Sequence, residues 1–112
     1  MSQVVESVSV AAPRGLVWRV VREIAKEDNE PDVVQEAREL VWTTPAFVDA
    51  EGSAEHRVEM RWWVRLAPSW TGTEVEHGCL FPERPDLIES VRAHLITTLT
   101  DVKTRAEADS AQ

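Results

Sequence analysis

The chain is 112 residues long, which is one domain's worth of sequence with one modest core. It is 43% hydrophobic and 29% charged, with a formal charge of −8, which excludes a disordered chain and a generally basic surface for gripping nucleic acid or anionic lipid. A single cysteine excludes an internal disulfide and a Cys-rich metal site, and no apolar run approaches the ~20 residues of a membrane span.

In chain order, residues 3–10 alternate, with Val8 and Val10 facing one way and Ser7 and Ser9 the other, as in a half-buried strand. The chain enters this strand without the apolar core of a secretory leader, so the expected location is cytoplasmic. Ala11-Ala12-Pro13 then punctuates. Leu16, Val17, Val20, Val21 and Ile24 come next at helical spacing and predict an amphipathic helix over 13–26. Residues 26–32 form a charged loop.

Residues 33–42 fit two patterns. Val33, Val34, Ala37, Leu40 and Val41 suit a helix, whereas Val34, Leu40 and Trp42 share one face of a strand. The strand is favoured because the next segments of the chain are themselves strand-like. Thr44-Pro45 and Glu51-Gly52-Ser53 bracket a further short strand at Ala46-Phe47-Val48.

The strongest signal lies between His56 and Leu66. Val58, Met60, Trp62, Val64 and Leu66 alternate with Arg57, Glu59, Arg61 and Arg65, with Trp63 as the apolar exception among the odd positions. After the turn at residues 67–72, Thr73, Val75, His77, Cys79 and Phe81 form one face of a second long strand, predicting a β-hairpin. Pro82-Glu83-Arg84-Pro85 breaks the sheet. The next helix starts either with an Asp86/Glu89 capping box or with Pro85 as its first residue. Leu87, Ile88, Val91, Leu95, Leu99 and Val102 carry it to about residue 105, so one domain spans 1–105 and 106–112 is expected to be a flexible tail.

The composition includes five Trp, two Phe and no Tyr. So much rigid aromatic surface suits either a Trp-rich core or the wall of a cavity or interface.

Val8-Ser9-Val10-Ala11-Ala12-Pro13 followed by Leu16-Val17-Trp18-Arg19-Val20-Val21 resembles the opening of the START-like (SRPBCC) superfamily. That group includes polyketide cyclases/dehydratases, the birch-pollen allergen fold and lipid-transfer START domains. Trp63-Val64-Arg65-Leu66-Ala67-Pro68 through Gly72-Thr73-Glu74-Val75-Glu76 resembles its hairpin, and the helix from Leu87 resembles its last helix. The resemblance implies an α+β helix-grip fold, in which a curved antiparallel sheet grips a long C-terminal helix. The middle of this chain is short, so a reduced strand number is expected, with a cavity that is small, open or completed by a second subunit.

The resemblance also implies a small hydrophobic or aromatic ligand held between sheet and helix. Mapped by parity, Val58, Met60, Trp62, Val64, Val75, His77 and Cys79 would face it, and Leu87, Val91, Leu95 and Thr98 would close it. If the protein is an enzyme, cyclase- or dehydratase-type chemistry follows from the resemblance, with His77 as the acid/base group. The alternative for His77 is a buried imidazole satisfied by a backbone carbonyl, and Trp62 and Met60 equally suit a plain core. A Cys79–His77 pair offers too few ligands for zinc, and an ordinary buried thiol suits Cys79 better than a nucleophile. No cofactor is expected. Glu36 and Arg38 share the parity of Val34, Leu40 and Trp42, so they are a polar pair inside the pocket if that face is concave and solvent residues if it is convex. The second is favoured because buried charges are costly unless paired. His56 and His94 read as surface or boundary residues. Arg61, Trp63 and Arg65 form an outward stripe suited to a solvated sheet face or to an interface. The second functional reading is accordingly a homodimer or protein-interaction module with an open sheet.

Overall fold

The computed structural model describes residues 2–26, 31, 33–47 and 57–111. Strand β1 (Ser2–Val10) leads to helix α1 (Arg14–Lys26). A short strand β2 (Val33–Gln35) and β3 (Glu39–Phe47) come next, then the long hairpin of β4 (Arg57–Pro68) and β5 (Thr73–Phe81). A 3₁₀ turn over Pro85–Leu87 opens into α2 (Ile88–Ser110). Among the described residues, five strands form one antiparallel sheet in the order β1-β5-β4-β3-β2. Both helices lie on one face of the sheet. α2 packs along β1 and β5, and α1 packs against α2 and β4.

The period-two pattern is realised in space. Registered rows cross the sheet on the helix-covered face, one running Glu6–His77–Val64–Leu40–Val34 and its neighbour Val4–Cys79–Trp62–Trp42. Two apolar clusters fill the space beneath the helices. One joins Val17, Trp18, Val20 and Val21 of α1 to the strand residues Val64, Leu66 and Val75 and to Leu99, Val102 and Ala106 of α2. The other joins Val4, Met60, Trp62, Cys79 and Phe81 to Val91 and Leu95.

One corner of the fold has a specific cause. Gly72 has φ 151°, and a Cβ there would lie 2.6 Å from the Val10 carbonyl oxygen and 2.7 Å from the backbone of Ala12. Only glycine allows the β4–β5 turn to press against the end of β1. Beside it, the Thr73 hydroxyl donates to the Ala12 carbonyl at 2.9 Å, tying the same corner together.

The middle of the chain departs from expectation. Residues 33–42 are strand, as favoured, but broken into a hairpin at Glu36-Ala37-Arg38. Ala37 takes a left-handed φ of 59°, which costs an alanine about 1 kcal/mol, while the Arg38 N–H donates to the Gln35 carbonyl and the Leu66 N–H to the Arg38 carbonyl. Glu36 and Arg38 are exposed there. No separate strand begins at Ala46: β3 runs through Pro45 to Phe47, because Thr44-Pro45 stays paired with Met60 and Glu59 of β4. Val48, residues 51–53, His56 and most of the charged loop lie outside the described residues, as does the side chain of Val58.

α2 begins by the Pro85 route. Arg84 precedes the 3₁₀ turn without a side-chain cap, and Asp86 pairs with Arg84 in place of capping. The helix does not end near 105. It continues to Ser110, with Ala106 fully buried against α1. The Glu107 carboxylate accepts from the Ala11 N–H at 2.9 Å and from Lys103, whose ammonium also reaches the Ser9 carbonyl at 2.8 Å. These contacts tie the last turns of the helix to the end of β1.

Candidate functional site

A cavity of about 340 Å³ lies between the sheet and the helices. It is displaced from the centre of the grip toward β3 and the end of α1. The reason lies in the packing of α2. Its first turns seat Val91 and Leu95 directly on Met60, Cys79 and Phe81, and its last turns close on α1. Between these contacts, Trp42 and Thr44 of β3, Trp62 and Val64 of β4, and Val75 and His77 of β5 face Val21, Ile24 and Ala25 of α1 and His94, Thr98, Leu99 and Val102 of α2.

Of the residues predicted for a ligand, Trp62, Val64, Val75, His77 and Thr98 line this cavity. Met60, Cys79, Val91 and Leu95 are buried in the adjoining core, with Leu87 packed at its margin. They fill the end of the grip that parity alone assigns to a ligand. Trp42, Thr44 and His94 also stand on the cavity wall, and the sequence pattern does not single them out. It places Trp42 on the face of Leu40 without giving it a role. His94 and Thr98 stand four residues apart on the flank of the apolar stripe of α2, a spacing that brings them to one side of the helix.

Two tryptophans and two histidines form the aromatic part of the wall. The His77 ring lies 5.8 Å from Trp42 and 6.2 Å from Trp62, centroid to centroid. His94, exposed on α2, meets Trp62 edge-on at 5.2 Å. The Trp62 indole N–H donates to the Thr44 hydroxyl at 2.8 Å, so the indole is fixed and the hydroxyl keeps its own proton to donate.

His77 is 1% exposed. Its Nδ1 lies 2.8 Å from the carbonyl oxygen of Trp63. A carbonyl only accepts, so Nδ1 carries the proton and Nε2 holds a lone pair. Burial pushes the imidazole down to about 4; the Trp63 carbonyl opposes that shift and nearby His94 adds to it. His77 is therefore neutral near pH 7, an acceptor at Nε2 and not a proton donor there. The buried, carbonyl-satisfied imidazole is the arrangement observed. Burial also pushes the Cys79 thiol up to about 12, and the residue is fully enclosed, so the thiolate needed for nucleophilic attack is not formed near neutral pH. Among the described residues, no group of three His, Cys, Asp or Glu side chains converges as a metal site would require.

The outward stripe is differently built from its sequence pattern. Trp63 is on the outer face but only 8% exposed. Its indole lies flat over Gly78, where an added Cβ would overlap the ring, and the Arg65 guanidinium sits 5.5 Å from its centroid. Arg65 in turn pairs with Glu39 and Glu76. Arg61 is exposed. The five tryptophans thus divide: Trp18 and Trp63 are buried, Trp42 and Trp62 line the cavity, and Trp70 stands in solvent on the β4–β5 turn.

No protein-family model matches the chain, and no curated protein matches it by sequence. Solved structures do match. A protein from Nitrosospira multiformis superposes with a TM-score of 0.76 at 14% identity, over 99% of this chain and all (100%) of that one. DynU16, a protein of the dynemicin biosynthetic locus, gives 0.74 at 16% identity over 98% of this chain and 49% of its own. The polyketide-cyclase-like protein Cgl2372 from Corynebacterium glutamicum gives 0.57 at 16% identity, over 96% and 92% of the two chains. At these identities the likeness shows the fold. The chain has the α+β fold of these proteins, an antiparallel sheet with a long C-terminal helix packed along it, and one of the proteins that share it is polyketide-cyclase-like.

Proposed function

We propose, with this fold as the premise, that the protein binds a small apolar or aromatic molecule in the cavity between β3–β5 and the two helices. The observation that carries the reading is the wall itself: Trp42 and Trp62 offer flat aromatic surface beside a few polar atoms, in a volume of about 340 Å³. An apolar pocket with a small number of placed polar groups is the usual form of a small-molecule site. Similarity of fold to a polyketide-cyclase-like protein and to a protein of a biosynthetic locus supports the same reading. Binding is the function proposed. In cyclase- or dehydratase-type chemistry a neutral His77 would serve as a base at Nε2 and not as an acid. Among the described residues no helix is long and apolar enough to cross a membrane, and a cytoplasmic setting belongs to this proposal.

The test is titration with an environment-sensitive apolar dye, followed by dye emission and tryptophan quenching, with near-UV circular dichroism to establish tight packing. Saturable one-site binding to the packed protein is expected. A packed protein that takes up no dye overturns the reading.

A further inference from the structure

We propose that His77 makes the cavity selective for a neutral, planar ligand that presents one O–H or N–H donor, with phenols the simplest such class. This deepens the binding reading and rests on it. Three observations converge. The Nδ1–H of His77 is engaged by the Trp63 carbonyl, and among the described residues the ring has no second hydrogen bond, so Nε2 is left as an acceptor without a protein donor. Trp42 and Trp62 each lie within about 6 Å of that ring, so a flat ligand stacked on an indole brings its edge to the imidazole. Finally, among the described residues the wall holds no Lys, Arg, Asp or Glu, and His94 is its only ionisable group besides His77. Among the described residues a carboxylate or phenolate would meet a lone pair with no fixed cation, in a chain of formal charge −8. A neutral donor fills the position at no such cost.

The Thr44 and Thr98 hydroxyls also line the cavity and can donate or accept, so they suit a carbonyl elsewhere on the same ligand. Among the described side chains of the wall only His77, through Nε2, is restricted to accepting from a ligand, and that restriction is what separates a hydroxyl from its methyl ether.

The experiment uses four probes of one shape on the intact protein at pH 7: 1-naphthol, 1-methoxynaphthalene, naphthalene and 1-naphthoate. Affinities are measured by calorimetry, and the ¹⁵N resonance of His77 Nε2 is followed by NMR. 1-Naphthol is expected to bind roughly three- to tenfold more tightly than its methyl ether, the range of one hydrogen bond between neutral groups, with naphthoate weakest. The Nε2 resonance is expected to move with naphthol and to stay in place with the ether. In His77→Phe, the naphthol-to-ether ratio falls to about one. Equal binding of naphthol and ether by the unaltered protein, a still Nε2 resonance, or preference for naphthoate overturns the selectivity while leaving ligand binding intact. Failure of all four probes overturns the binding reading and the selectivity with it.

Discussion

Nδ1 of His77 on β5 lies 2.8 Å from the backbone carbonyl oxygen of Trp63 on the neighbouring strand β4. The two residues face opposite sides of the sheet: His77 is inside the grip, while the Trp63 indole covers Gly78 on the outer face. One strand pair therefore fixes both the tautomer of the cavity's imidazole and the packing of the outer surface.

Burial of that imidazole, which the Trp63 carbonyl opposes only in part, makes stability depend on pH. His77 titrates near 6.5 when exposed and near 4 when folded, so between these values the unfolded chain binds more protons. The stabilisation is complete above pH 6.5 and is lost as pH falls toward 4, by roughly 2 kcal/mol at pH 5. Asp86, held low by its hydrogen bond from Arg84, and Glu107, held low by the Ala11 N–H, add losses of the same sign in the carboxylate range. Urea midpoints at pH 7.5 and 5.0 should separate clearly in the wild type and much less in His77→Gln. Equal midpoints in the wild type would refute a buried neutral imidazole.

Trp62 and Trp63 are adjacent in sequence and opposite in consequence. Trp62→Leu should weaken dye or naphthol binding about five- to tenfold through lost stacking area. Trp63→Leu should leave affinity within about twofold and lower stability by about 1–3 kcal/mol, because it empties the site over Gly78. Calorimetric titration with urea denaturation distinguishes them, and the reverse ranking would contradict the placement of the two indoles.

Gly78→Ala probes the outer face without touching the cavity. The new methyl overlaps the Trp63 ring, so the indole must lift from the sheet, at a cost of about 2 kcal/mol. An alanine variant as stable as the wild type would show that the ring does not rest there. Light scattering on the same variant checks whether a displaced Trp63 draws copies together.

Ending the chain after Arg105 removes the buried Ala106 and the Glu107 carboxylate that holds the Ala11 N–H. A loss of about 2 kcal/mol in urea denaturation is expected. Unchanged stability would return residues 106–112 to the status of a loose tail.

Legibility tracks the length of each pattern. The alternation through β4 and β5 spans about twenty positions, and a one-residue slip would turn every side chain to the wrong face, so strands, hairpin and inward face are readable together. The helical repeat of α2 is equally plain, but its polar last turns conceal that they continue, because Glu107 and Lys103 are secured by partners at the end of the first strand. The β2–β3 turn is hidden for a local reason: its left-handed residue is Ala37, where glycine or asparagine would have marked it. Trp63 reads as an outward residue and is one, yet nothing near it in sequence announces that Gly78, on the neighbouring strand, leaves room for its ring.

The residue pattern by itself determined which side of β4, β5 and the two helices turns inward, since the alternation of apolar and polar side chains has the period of the backbone. It thereby placed Trp62, Val64, Val75 and His77 on one concave face. Whether that face is filled or hollow was decided only in the tertiary structure. Side chains of similar character, Met60 and Cys79 at one end and Trp62 and Val64 at the other, differ in what α2 brings against them. Close packing depends on the distance between elements and the shapes that meet there, and neither quantity is carried by the order of residues along one strand.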